Sequence, residues 1–199
     1  MKNINYKNYK PSKIVCVGRN YVEHIKELNN EMPENMVLFN KTNNTISDKL
    51  YYFPNSRFEG EICFVVENNQ LSAIGFGFDL TKVDIQNYLK QKGLPWERAK
   101  SFNNSAIFSE FVELNGNIET IEMKLYQNNK LQQHATYELM IYKPNQILDE
   151  ILTFCDLENG DIIMSGTPKG VNSYQKGDKF LAQIFIDNKM LIQKEFMAL

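Results

Sequence analysis

The sequence predicts an α+β fold: a mixed body, mostly antiparallel strands with a few short helices. Three observations carry this. Apolar runs of strand length outnumber the stretches with helical periodicity. Those helical stretches do not alternate regularly with the strands, which argues against a doubly wound parallel sheet. Several runs are joined by short Asn/Asp-rich turns of the kind that close hairpins. The 199 residues contain no repeat, low-complexity tract or linker, so one domain is expected over 1–199, with residues 1–12 as an N-terminal extension.

In chain order, KIVCVG (13–18) is a β-branched run ending in Gly, a strand. Tyr21, His24, Ile25 and Leu28 then share one face of a short helix of about two turns, while Glu23, Lys26 and Glu27 face elsewhere. NNEMPEN (29–35) is turn chemistry, MVLFN (36–40) a strand, and KTNNTISD (41–48) a polar loop. ICFVVE (62–67) is a strand, NNQ (68–70) a turn. IGFGFDL (74–80) is a strand whose glycines allow close backbone approach. Thr81 with Asp84 has capping-box spacing and opens a helix through about Gln91, ended by Gly93 and Pro95. AIFSEFVEL (106–114) and IEMKLYQ (121–127) are strands, the second closed by the turn NNK (128–130). PNQILDEILTFC (144–155) starts a helix on Pro at its first position. DIIMSG (161–166), KFLAQIFI (179–186) and MLIQKEF (190–196) are strands, the last two joined by DNK.

Composition excludes several classes. With 43% hydrophobic and 23% charged residues the chain is globular. A net charge of -2 and a sequence pI near 5.8, without a basic patch, speak against nucleic acid. Apolar runs such as 62–66 are too short to span a bilayer, and MKNINYKNYK lacks the apolar segment of a signal peptide. Cys16, Cys63 and Cys155 are scattered among apolar neighbours, which fits buried thiols in a reducing cytoplasm.

The chemistry lies in FEGE (58–61). Alternation along a strand puts Ile62, Phe64 and Val66 on one face and Glu59, Glu61, Cys63 and Val65 on the other, with Glu59 and Glu61 about 7 Å apart along the backbone. Two solvated glutamates at a strand edge would show the same pattern. However, their face continues into Cys63 and Val65, and a buried like-charged pair is costly without a counter-charge. Asp79, at the end of a glycine-punctuated strand, is a third candidate carboxylate or else a helix cap. Three oxygen ligands suit a hard ion, Mg²⁺ or Mn²⁺, with Ca²⁺ as a substitute. Zinc fits poorly, because the histidines are only His24 and His134.

VGRNYVEHIKEL (17–28), FEGE (58–61), GFDLTKVDIQNYLKQKGLPWERAKSF (77–102) and LENGDIIMSGTPKGV (157–171) occur in that order. Together they resemble the fumarylacetoacetate hydrolase family, in its short acylpyruvate hydrolase and oxaloacetate decarboxylase branch. The resemblance implies a β-roll of that family's C-terminal-domain type, a homodimer, and a divalent metal on Glu59, Glu61 and Asp79. It places Lys100 as the site lysine. It sets Gln86 and Thr167 against the substrate, with Arg19 as a further substrate-binding candidate. It makes His24 and Glu27 a catalytic pair on a helix within 20–30 that closes over the substrate. The implied reaction is metal-dependent cleavage of a C–C bond in a small 2,4-dioxo acid, with oxaloacetate decarboxylation at the same site. An isomerase of unsaturated oxo-diacids and a non-catalytic binder of small acids are the alternatives.

The pair also makes chemical sense. A carboxylate three residues from His24 on a helix orients the imidazole and is expected to raise its basicity. Lys100 balances the carboxylates and binds enolate charge. GTPKG reads either as a plain turn or as a segment that aims Thr167 and backbone N–H groups at a substrate carboxylate. One departure stands out. Where the family commonly reads T-A-R-D, this chain has Thr81-Lys82-Val83-Asp84. Lys82 is rotated by about 100° from the arginine position on a helix, so either Arg19, Arg98 or Lys169 replaces that guanidinium or the substrate differs from the usual 2-oxo acid. His134 is expected at the surface or an interface, and Pro95 and Trp96 to pack around the lysine-bearing loop.

Overall fold

A computed structural model describes residues 1–28 and 31–199. Its largest sheet runs, in order of pairing, β2 (Val37–Thr42), β1 (Lys13–Gly18), β12 (Ile162–Met164), β5 (Gly60–Glu67), β6 (Gln70–Asp79), β8 (Ala106–Phe108) and β3 (Ile46–Ser47), with β9 (Val112–Glu113) added to β6. A second sheet orders β11 (Lys130–Thr136), β10 (Glu122–Gln127), β14 (Lys179–Ile186) and β15 (Lys189–Met197). A small third one orders β13 (Asn172–Ser173), β4 (Ser56–Phe58) and β7 (Thr81–Lys82). The named parallel pairs are β1–β12 and β3–β8; the other ladders between named strands are antiparallel. The helices are α1 (Val22–Glu27), α2 (Val83–Gln91), α3 (Glu97–Lys100) and α4 (Pro144–Leu152). This is the mixed, strand-rich α+β architecture expected.

The hairpins follow from their turn residues. Asn68-Asn69, Asn128-Asn129 and Asp187-Asn188 all have positive φ. A two-residue turn of this kind matches the twist of the strands it joins, and Asn and Asp tolerate it better than most residues.

The main core lies where the β5–β6 ladder faces the second sheet. Phe76 and Phe78 meet edge to face with ring centroids 4.8 Å apart, and Phe58, Phe180 and Phe196 complete the aromatic cluster. Alternation holds along β5: Ile62 and Phe64 enter this core, while Cys63 and Val65 enter a cluster on the opposite face. A register shift between Val65 and Val66 sends Val66 to a third cluster, under α4. The N-terminal extension is docked, with Ile4 buried and Ser12 N donating to Asp161 Oδ1 at 2.6 Å.

Several elements depart from the sequence reading. Thr81 does not cap a helix; it lies in β7, and α2 starts at Val83 with no side-chain cap. Its hydroxyl donates instead to Glu59 Oε1 at 3.0 Å. The run 106–114 is broken into β8 and β9. Residues 41–48 are no polar loop: β2 continues to Thr42, Lys41 is fully buried, and β3 follows a 3₁₀ turn. Lys100 closes the short helix α3 rather than a loop. Cys16 and Cys63 are buried, but Cys155 is only half-buried. Of the proposed 20–30 helix, residues 22–27 are helical; 29 and 30 lie outside the described residues. Among the described residues, no helix is long and apolar enough to cross a membrane.

Candidate active site

Antiparallel pairing of β5 with β6 builds the carboxylate cluster. Glu61 pairs with Gly77 and Gly60 with Phe78, and Asp79 N donates to Glu59 O at 2.8 Å. That register sets Asp79 across from Glu59, and the two-residue period puts Glu61 on the same face. All three are buried, and one oxygen from each lies within 4.8 Å of the others. The sequence-based grouping of these acids is therefore realised in space.

Cations from three separate segments stand against them. Lys100 Nζ donates to Glu59 Oε2 at 2.7 Å and to Asp79 Oδ2 at 2.6 Å. Arg57 Nε donates to Glu59 Oε1 at 2.9 Å. Lys41 Nζ lies 2.8 Å from Asp79 Oδ1, an ion pair without a hydrogen bond; among the described residues that buried oxygen has no hydrogen-bond partner. Burial would raise the Glu59 pKa, but Lys100 and Arg57 outweigh it and hold the carboxyl below the usual range. For Lys100, burial opposes the charge while Asp79 and Glu59 more than offset it, so its pKa is raised.

Glu61 differs. Burial, and then the like charges of Asp79 and Glu59, push its carboxyl well above the ordinary range. The hydrogen bond found for it comes from Gly166 N to Oε2 at 2.8 Å. Gly166 has φ 94, and a Cβ there would lie 2.8 Å from Asn20 Cβ and 3.0 Å from Val17 O, so the position requires glycine. Among the described residues, one Asp79 oxygen has no hydrogen bond and Glu61 makes no salt bridge; in an all-oxygen donor set, both fit a hard divalent ion.

His24 sits on α1 facing this cluster. Asn20, buried, anchors the start of that helix: its Nδ2 donates to Tyr142 O and Ser165 O, and its Oδ1 accepts from Tyr142 N. His24 Nδ1 is 3.4 Å from Glu27 Oε2, and Gly170 N holds the same carboxylate at 3.0 Å and 3.2 Å. The expected rise in basicity is reversed. Burial is the largest influence and lowers the His24 pKa, against smaller upward effects of Glu59 and Glu27.

Around the same pocket stand Arg19, Gln86, Lys90, Trp96 and Thr167; Glu27 lies behind His24, outside this lining. The Thr167 hydroxyl donates to Gly60 O and accepts from Gln133 Nε2. The N–H groups of Gly166 and Gly170 are taken by Glu61 and Glu27. The GTPKG segment therefore orders protein carboxylates rather than presenting those two donors to a substrate. Arg19 adopts φ 60, and its buried Nε has no hydrogen-bond partner among the described residues. Lys90 has its pKa lowered to about 8 by burial and then by Arg57 and Arg19.

Of the replacements considered for the guanidinium missing at Val83, only Arg19 lines this pocket. Lys169 borders a separate groove with Leu131 and Leu139, Arg98 is exposed, and Lys82 lies over the Phe102 ring at 4.5 Å. Sequence reasoning missed Arg57, Lys41 and Lys90. Arg57 carried the clearest signal, two residues before Glu59 and so on the same strand face. Trp96 was undervalued, since it faces the pocket as well as packing on Phe39. His134 is exposed and pairs with Glu122 at 2.7 Å, a surface residue as expected.

Comparison with known proteins gives consistent similarities. The profile described as fumarylacetoacetate (FAA) hydrolase C-terminal matches residues 13–190. The chain is 33% identical over 192 residues to the oxaloacetate tautomerase YcgM of Escherichia coli (strain K12), covering 86% of this chain and 88% of that protein. It is 33% identical over 190 residues to the mitochondrial oxaloacetate tautomerase FAHD1 of Homo sapiens, covering 86% of each. A candidate fumarylacetoacetate isomerase/hydrolase from Oleispira antarctica superposes with a TM-score of 0.91 at 31% identity, over 100% of this chain and 99% of that one. A fumarylpyruvate hydrolase from Pseudomonas aeruginosa, solved with Mn²⁺ and pyruvate, shares the fold with a TM-score of 0.87 at 22% identity, over 99% and 94% of the two chains.

Proposed function

From the premise that this chain belongs to the fumarylacetoacetate hydrolase family, we propose that its pocket catalyses proton transfer in a small 2-oxo acid, the keto–enol interconversion of oxaloacetate. The observation that carries this reading is a buried imidazole, His24, facing three clustered carboxylates in a pocket that Arg19, Arg57, Lys90 and Lys100 also line. The relatives named oxaloacetate tautomerases support it.

Glu59, Glu61 and Asp79 would hold the divalent ion, Mg²⁺ or Mn²⁺, which supplies Lewis acidity and positive charge for a 2-oxo acid and its enolate oxygen. The protein's own groups do the rest. His24 is kept neutral near pH 7 by burial. With its Nδ1 turned to Glu27, Nε2 is the basic atom on offer. It takes the proton from C3 of the keto acid and returns it to the 2-oxygen, the two tautomers differing by that one transfer. Lys100 holds Glu59 and Asp79 in place and adds charge beside the developing oxyanion.

A second reading keeps the same machinery. The Gly170–Glu27–His24 chain of contacts is also what activates a water, as cleavage of a C–C bond in a 2,4-dioxo acid requires. Purified protein with Mg²⁺ or Mn²⁺, assayed by the absorbance of enol-oxaloacetate and separately on acetylpyruvate, tests both. Metal-dependent loss of the enol above the uncatalysed rate is expected. Turnover of acetylpyruvate alone would replace the first reading by the second. Metal-dependent binding of small acids without any turnover would reduce the site to a binding module.

A further inference from the structure

We propose that Arg57 is a specificity-determining residue: its guanidinium receives the second carboxylate of a dianionic oxo acid. This deepens the proposed function and rests on it for the substrate class. No cation stands at position 83, the first residue of α2. The structure brings one to the same region from a different element. Arg57 lies on β4, paired with Thr81 on β7, and the next backbone contact runs from Val83 N to Asn55 O at 2.9 Å. The Arg57 side chain therefore leaves the backbone beside the start of α2 and enters the pocket next to Gln86 on that helix.

Its orientation is fixed from two sides. Nε donates to Glu59 Oε1 and Nη2 to Gln86 Oε1, each at 2.9 Å. Nη1 has no hydrogen-bond acceptor among the described residues. The side chain is 14% exposed, so it is largely desolvated and already held in one geometry. A guanidinium in this state binds a planar carboxylate with little further loss of freedom.

Charge points the same way. The pocket is lined by Arg19, Arg57, Lys90 and Lys100 against Glu59, Glu61 and Asp79, an excess of positive charge before any metal binds. A divalent ion enlarges that excess. A substrate with two carboxylates relieves it better than one with a single carboxylate. Arg19, just past the end of β1, and Arg57, on β4, reach the pocket from separate segments, the arrangement two separated carboxylates would use.

The test compares L-malate with L-lactate, which differ by the distal carboxylate, titrated calorimetrically into Mn²⁺-saturated protein. The wild type is expected to prefer malate by at least tenfold. Arg57→Gln should bring the preference below threefold by costing malate several times more affinity than lactate, and Arg57→Lys should retain part of it. An unchanged preference in Arg57→Gln, equal losses for both acids, or no preference in the wild type would each overturn the proposal. Oxaloacetate turnover by the wild type is measured in parallel. If turnover is absent but the preference depends on Arg57, the functional reading falls and this inference stands. If turnover is present and the preference ignores Arg57, this inference alone falls.

Discussion

Replacing Lys41 by Met probes the cation that holds the carboxylate site from behind. Lys41 is fully buried, and its Nζ reaches the carbonyls of Lys100, Ser105 and Leu80, the Ser105 hydroxyl, and Asp79. The carbonyls contribute little to the expected loss, because the partners around Lys41 also satisfy one another. Ser105 O still accepts from Leu80 N at 2.9 Å, and Lys100 O from Ser105 Oγ at 2.8 Å. Asp79 dominates. Removing one partner of a buried ion pair costs about 3–5 kcal/mol, and the low end applies because Lys100 remains 2.6 Å from Asp79 Oδ2. With about 1 kcal/mol for the weakened carbonyl contacts, the loss is about 3–4 kcal/mol. For a chain of this size each kcal/mol shifts the melting temperature by about 2–4 °C, so a drop of about 10 °C is expected. Thermal melts in EDTA, with exposed Lys130→Met as control, make the measurement. A Lys41→Met protein melting within about 2 °C of wild type would refute the assignment of Lys41 as Asp79's buried counter-charge.

Five other outcomes follow from the same geometry. Glu61→Gln removes a charge that burial and two like neighbours oppose, so the metal-free protein should melt no lower than wild type while the rise in melting temperature with Mn²⁺ disappears; a retained rise would remove Glu61 from the ligand set. Because burial lowers the His24 pKa, the acid limb of activity, where the imidazole protonates, should lie at lower pH than for a free imidazole. Glu27→Gln removes an upward influence and should move that acid limb lower still in a kcat/KM profile, while His24→Ala should cost roughly 10²–10⁴-fold in rate and leave Mn²⁺ affinity intact by calorimetry. Gly166→Ala forces a Cβ to 2.8 Å from Asn20 Cβ at φ 94, so it should destabilise by about 1–3 kcal/mol in urea and weaken Mn²⁺ binding, since that N–H orients Glu61.

The strands and hairpins were legible because their signals are local: β-branched alternation, and Asn or Asp where positive φ is needed. Glu59, Glu61 and Asp79 were legible for a related reason, as the strand period and one hairpin bring them together. What escaped depended on distant partners. Lys41 sits in KTNN, polar in every local respect, and its burial is decided by α3 and the segment around Ser105. Thr81 has capping-box spacing, but pairing with Arg57 on β4 outcompetes the helix for those residues. The direction of the His24 shift could not be read either, since a neighbouring carboxylate is visible in sequence and the depth of burial that overrides it is not.

The same distinction explains why FEGE tolerates its second acid inside a core. Glu59 and Asp79 have lysine or arginine nitrogens within 2.9 Å, so their charges are matched by the chain itself. Glu61 has a backbone N–H and two like-charged neighbours. The electrostatic cost of the cluster is therefore concentrated on one residue, and a divalent ion bound there would relieve it more than at its neighbours. A ligand that binds only the folded state stabilises it the more, the tighter it binds. On the proposed ligand set, metal affinity and folding stability would thus be coupled mainly through Glu61, and substitutions at Arg57, Lys41 or Lys100 would act by shifting part of that burden onto carboxylates that are otherwise matched.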